Sequence, residues 1–124
     1  MNTSFVYEPI TLERQVDYMS VLGTCPQVTS DYAYANLYGW SEHYGLSWRF
    51  AHNMVWIKQS LPREIHWAPV GDWTKVDWAA LPCLSGPMRF TRVPAALARI
   101  WEQAFAGRIR MTEDRDHFDY VYSV

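Results

Sequence analysis

The chain predicts an α+β fold, with helices packed on a mixed, mostly antiparallel sheet. Three observations predict it. Hydrophobic periodicity switches from helical to alternating at about Gly45. Three short alternating segments then follow one another as far as Pro69, and strand and helix patterns interleave beyond that point. A length of 124 residues suits one domain, residues 1–124, with a real core. The composition is 49 % hydrophobic and 16 % aromatic, with seven tryptophans, each of whose indole N–H groups needs a partner if buried. Aromatic excess also marks docking surfaces, so self-association through exposed aromatics is one expectation.

The elements follow in order. Phe5–Ile10 reads as a first strand ending at Pro9. Thr11 is placed to cap a helix over Leu12–Leu22, stopped by Gly23, with Leu12, Val16, Met19 and Leu22 as its inner face. Ser30 is placed to cap a second helix that ends near Gly39-Trp40. Leu46, Trp48 and Phe50 then alternate with polar residues, Met54 and Trp56 follow the turn residues Ala51-His52-Asn53, and Glu64–Pro69 completes an antiparallel meander. Asp72 or Thr74 starts a helix through about Leu81, and Met88–Val93 is a strand. Pro94 opens a helix over Ala95–Ala106, closed by Gly107, with Leu97, Ile100, Trp101, Ala104 and Phe105 inward. Arg108–Met111 begins a last strand region. This order is similar to the GNAT-like acyltransferase fold, in which a strand is followed by two helices, three antiparallel strands and two βα units.

Charge and motifs narrow the chemistry. The formal charge is −2 and only two of the eleven basic residues are lysines, so no phosphate-tracking surface for nucleic acid is indicated. No apolar run approaches a membrane span, the first nine residues lack a secretory pattern, and Cys25 and Cys83 have no CxxC spacing. A cytoplasmic protein is expected. His43, His52, His66 and His117 share no zinc-type spacing, and no metal site is assigned. No Gly-x-Ser-x-Gly elbow occurs, and proton transfer by Glu113 or Asp116 with His117 is a minor alternative. An acyl-CoA pyrophosphate would need free backbone N–H groups at the junction Trp67-Ala-Pro-Val-Gly-Asp-Trp73. Gly71 suits such a loop. Pro69 removes a donor and Asp72 adds a negative charge, so acyl-CoA is not expected as a cofactor. Asn36, polar in an apolar helix, is expected to bond a neighbouring strand or loop.

Three segments carry a resemblance: Ser30–Trp40, Ala68–Gly71 and Glu113-Asp-Arg-Asp-His-Phe-Asp-Tyr-Val-Tyr122. In order and spacing they are similar to the bacterial family related to the C-terminal domain of phosphatidylglycerol lysyltransferases. Much of that family is catalogued as a domain of unknown function. The resemblance covers essentially the whole chain. Gly39, and Tyr34 where the family more often has phenylalanine, are departures. Family members resemble two GNAT-like halves in tandem, joined through a Gly/Lys-rich basic stretch, and the lysyltransferases move an aminoacyl group from a charged transfer RNA to a lipid headgroup. This chain ends at the Tyr-Val-Tyr segment.

The resemblance therefore implies a non-catalytic first half that supports a second GNAT-like domain or a partner chain, and it transfers no catalytic residue. The alternatives are a stand-alone acyltransferase with an atypical cofactor loop and an aromatic-rich interaction module. Asn36 and Trp40 on the second helix, with Asp114, Arg115, Asp116, Asp119, Tyr120 and Tyr122 near the end, are the expected structural or interface positions. Arg115 is expected to pair with the surrounding carboxylates rather than leave them to a cation.

Overall fold

The alternating segments at the middle of the chain become the centre of one sheet. The structure, a computed structural model, describes residues 6–81, 84, 88–113 and 118–122, with side chains as far as residue 109. Strand β2 (Leu46–Ala51) pairs antiparallel with β3 (Met54–Gln59) along its whole length. Their two-residue turn holds His52 and Asn53 at φ 57° and 61°, the left-handed pair that a tight hairpin requires. β3 pairs with β4 (Ile65–Trp67), which completes the expected meander, and a two-residue strand β5 (Val70–Gly71) pairs with the start of β3. Strand β1 (Glu8–Pro9) lies along β2.

Beyond β4 the direction of pairing changes. β6 (Met88–Thr91) runs parallel to β4, with His66 beside Phe90 and Trp67 beside Thr91. β8 (Phe118–Tyr122) then lies between β6 and β7 (Ile109–Glu113), antiparallel to both. The sheet order is β1-β2-β3-β4-β6-β8-β7, with one parallel pair in its middle among the described strands.

Helices cover both faces. Helices α1 (Gln15–Leu22) and α2 (Tyr34–Tyr44) lie on the face that carries Trp48 and Trp67. There Trp48 stacks on Tyr18 with ring centroids 5.3 Å apart, and Trp67 meets Tyr32 edge-on at 5.7 Å. Helix α3 (Ala95–Ala104) lies on the opposite face. On that side Trp101 meets Phe90 at 4.9 Å and Trp78 at 5.6 Å, and Trp78 reaches Trp56 at 6.4 Å. The tryptophan-rich composition is thus divided into two aromatic layers on a single sheet. Most of the indoles find acceptors: Trp56, Trp73 and Trp78 donate to backbone carbonyls, and Trp67 donates to Gln59.

Several expectations change. The first helix buries Tyr18 and leaves Leu12, Val16 and Met19 exposed at 59, 78 and 49 %. Tyr18, Val21, Leu22 and Cys25 form a competing stripe at the same helical spacing, and they face the core. The aromatic stripe prevails because Tyr18 buries more apolar area and its hydroxyl donates to the Tyr32 carbonyl. Thr11 makes no side-chain cap, and Leu12–Arg14 is a 3₁₀ turn. Ser30 starts another such turn, with α2 beginning at Tyr34 and running through Gly39 and Trp40 to Gly45. Gly45, at φ 58°, ends it where a Cβ would collide with the Ser60 side chain. The helix expected from Asp72 to Leu81 is two 3₁₀ turns, Trp73–Lys75 and Trp78–Ala80. Buried Trp73 and Trp78 anchor this segment through N–H donation to Pro69 O and Trp73 O, which fixes a tighter path than a helix. Helix α3 starts at Ala95 as expected, with Pro94 as its N-cap, and ends at Ala104 rather than Ala106; Gln27 Oε1 accepts the Ala96 N–H at 2.8 Å.

Candidate functional site

In an open sheet the crevice at the carboxyl ends of a parallel pair is the natural ligand position. Here it lies beyond Trp67 on β4 and Thr91 on β6, and a side chain fills it. Tyr32, 3 % exposed, places its hydroxyl between the diverging strands. That hydroxyl accepts the Ala68 N–H at 2.9 Å and donates to the Arg92 carbonyl at 2.8 Å. Both backbone groups that an extended ligand would bond are thereby satisfied from within. Burial pushes the Tyr32 hydroxyl well above its ordinary pKa, so it remains a neutral donor and acceptor.

Arg92 packs on the same Trp67 ring that Tyr32 meets. Strict alternation along β6 would send it, like Phe90, toward α3. Its backbone is left-handed instead, at φ 59°, and its guanidinium lies 4.6 Å over the Trp67 ring. Trp40 and Tyr44 of α2 stand 6.0 and 5.9 Å from the same guanidinium, and Asp31 accepts a 3.0 Å ion pair from it. A non-glycine residue in this region costs about 1–3 kcal/mol, so the surrounding contacts must over-determine it. The aromatic cage, the carboxylate and the Tyr32 hydroxyl on its carbonyl do so. Sequence reasoning did not single out Tyr32, Asp31 or Arg92. The Ser30-Asp-Tyr segment was read as the start of the second helix and as part of the resemblance, and nothing local to Arg92 announces its partners.

The expected site residues fall into separate places. Gly71 is not at a helix N-terminus. It pairs with Met54 in β5, donates its N–H to Cys25 Sγ at 3.1 Å, and a Cβ there would lie 2.6 Å from Met54 Cγ. Its glycine identity answers to close packing on β3. Asp72 caps the following 3₁₀ turn by accepting from the Thr74 N–H at 3.2 Å and hydroxyl at 2.7 Å, and chiefly this hydroxyl contact lowers its pKa. A pyrophosphate held at a helix N-terminus would need free backbone N–H groups. The junction offers a capped turn, a carboxylate and an engaged glycine where a free helix N-terminus is needed.

Asn36 donates from Nδ2 to the Ser30 carbonyl at 2.6 Å, so it ties α2 to the preceding turn as a loop contact. Trp40 belongs to the wall around Arg92, at 6.5 Å from Trp67. Asp114, Arg115, Asp116 and His117 lie outside the described residues. Asp119, Tyr120 and Tyr122 are placed by backbone register opposite Thr112, Met111 and Ile109, on a strand with a neighbour on each side. Among the described residues, no group of three His, Cys, Asp or Glu side chains converges on a metal position. No helix among them is long and apolar enough to cross a membrane. Tyr38 is the one exposed large aromatic among them, at 42 %, so the exposed apolar surface is mainly aliphatic rather than aromatic.

These observations define an α+β domain with a mixed, mostly antiparallel sheet and a tyrosine hydroxyl bridging the carboxyl ends of its parallel pair. No protein-family model matches the chain, and no curated protein does. Among solved structures it is similar to a conserved protein of unknown function from Bacteroides thetaiotaomicron VPI-5482, with a TM-score of 0.72 at 18 % identity. The match covers 90 % of this chain and 40 % of that one, so the chain spans about two fifths of its structural relative. At this identity the likeness concerns the fold.

Proposed function

We propose that the chain is a non-catalytic, GNAT-like half-domain related to acyl- and aminoacyltransferases, and that it supports a second domain or a partner chain. The single observation that carries this reading is the Tyr32 hydroxyl bridging Ala68 and Arg92, which occupies the place an acyl donor would need. The element order supports the GNAT-like assignment: a strand, two helices, three antiparallel strands, then strand, helix and two further strands. The added β5 and paired 3₁₀ turns replace the helix whose N-terminus would hold a pyrophosphate. The longer structural relative supports the half-domain reading, because a unit of this fold makes up only part of that chain. Leu12, Val16 and Met19 form an exposed aliphatic stripe of the kind that partners cover. The resemblance to the phosphatidylglycerol lysyltransferase-related family points the same way.

Acetyl-CoA titrated calorimetrically into the purified chain tests the proposal. We expect no saturable heat, and a thermal midpoint unmoved by millimolar CoA. A ligand at one hundred times its dissociation constant would stabilise by about 2.7 kcal/mol, which such a scan detects readily. Saturable binding with acyl transfer to any amine would establish the stand-alone enzyme instead.

A further inference from the structure

Helix α1 leaves one of its faces uncovered. Together with the 3₁₀ turn before it, α1 forms a continuous helical stretch from Leu12 to Leu22. Tyr18, Val21 and Leu22 turn inward, whereas Leu12, Val16 and Met19 are exposed at 59, 78 and 49 %. Steps of four and three residues align these three along a single seam. Glu13 and Ser20 flank the seam on one side, and both are exposed. Neither makes a side-chain hydrogen bond or ion pair among the described residues. The arginine of this stretch is turned away from the seam. Arg14 reaches Asp17 at 2.9 Å and Glu8 at 3.5 Å, with its guanidinium 3.9 Å over the Phe50 ring.

An antiparallel copy of the same helix matches this pattern. The two-fold axis would stand normal to both helices at Val16, so each flank of one helix meets the same flank of the other. Val16 then meets Val16 of the second copy at the axis. Leu12 meets Met19 of the second copy on one flank, and Glu13 meets Ser20 of the second copy on the other. Symmetry makes each flank contact twice. Aliphatic side chains cover aliphatic ones, and a carboxylate without a donor meets a hydroxyl without an acceptor. The helix dipoles run in opposite senses, which adds no repulsion between like ends. An unrelated helix could cover the aliphatic seam, but the reciprocal acceptor and donor on one flank suit a second copy of this one.

From this fit we propose that α1 is the contact of a weak symmetric dimer, with a second copy of this chain as its partner. Three aliphatic side chains supply well under the roughly 800 Å² per partner of a stable interface. The pair therefore forms at high concentration and dissolves on dilution. The inference goes beyond the half-domain reading and does not rest on it, since CoA binding tests that reading and molecular mass tests this one.

Sedimentation of the intact chain from about 20 µM to about 2 mM, with amide chemical shifts recorded over the same range, tests the dimer. A monomer–dimer equilibrium with a dissociation constant of about 0.1–1 mM is expected, with concentration-dependent shifts centred on Leu12–Gly23. Val16→Ser should weaken it by about tenfold or more, because it removes apolar contact from both copies at the axis. Val16→Glu should leave a monomer throughout, by setting two like charges on that axis. Ser20→Ala should weaken the pair by about threefold through loss of the reciprocal bonds. At the low micromolar concentrations of unfolding measurements all three variants are monomers, so midpoints close to that of the unaltered chain separate lost association from lost folding. A chain that stays monomeric at about 2 mM would overturn the proposal. So would a dimer undisturbed by Val16→Glu, or concentration-dependent shifts centred on exposed Tyr38 or Leu61 instead of α1.

Discussion

The two ends of the β4–β6 pair make an instructive contrast. At the carboxyl ends, a buried tyrosine hydroxyl and a caged arginine satisfy the diverging backbone, so polar groups that strands normally offer a ligand are used internally. At the amino-terminal ends, two half-buried cations and an aromatic floor are left around open space. The chemistry at both ends is cation over aromatic. What differs is the arrangement: Asp31 pairs with Arg92 at 3.0 Å in the first, whereas in the second Lys58 lies over the Tyr7 ring and Glu64 is exposed at the rim. An arginine supplied with its carboxylate from a neighbouring turn closes a cleft.

Removing the platform shared by the closed end should have the largest effect. Trp67→Ala deletes a fully buried ring that carries Arg92 and bonds Gln59, and should cost about 3–5 kcal/mol in urea unfolding. A smaller loss would mean that Tyr44 and Trp40 collapse to fill the space. Tyr32→Phe keeps the shape and removes only the hydroxyl, leaving Ala68 N–H and Arg92 C=O without it. A loss of about 1–3 kcal/mol is expected, and Tyr32→Phe should bind CoA no better than the unaltered chain. Measurable CoA binding by Tyr32→Phe would show that the hydroxyl alone closes the crevice.

The open end should report through pH. Burial is the main cause that holds the His66 imidazole below its ordinary value of 6.5; Glu64 raises it and Lys58 lowers it. The unfolded chain therefore binds more protons than the folded one between the two pKa values. Stability contributed here is present above 6.5 and declines as pH falls through the folded pKa. Urea midpoints taken from pH 7 to 5 should fall, and His66→Gln should flatten that fall; identical slopes would remove His66 as the cause. The smallest effect is expected on α1, where Val16→Ser at a 78 % exposed position should change stability by no more than about 0.5 kcal/mol. Its neighbour Tyr18→Phe should lose about 1 kcal/mol by giving up the bond to Tyr32 O, which separates the two stripes of one helix.

Much of the fold was legible because it rests on local rules. Period-two alternation from Leu46 to Gln59 and the left-handed turn between the strands specify a hairpin without help from elsewhere. Pro94 and Gly107 bracket α3, whose stripe contains Leu97, Trp101 and Phe105, all buried. The last strand region expected from Arg108–Met111 is found as β7, beside β8. Legibility failed at α1, where two apolar stripes share one helix and spacing alone has no means of ranking them. It failed again at Trp73–Ala80, where indole anchoring set the backbone path.

The sequence by itself determined the class of fold, the hairpin and the third helix. Each follows from interactions within a few residues, which a linear pattern records. Tertiary structure alone decided that Tyr32 fills the crevice, that Arg92 turns back onto Trp67, and that Arg49, Lys58 and His66 share one face. Tyr32 and Arg92 are separated by 60 positions, so their contact exists only once β6 lies beside β4.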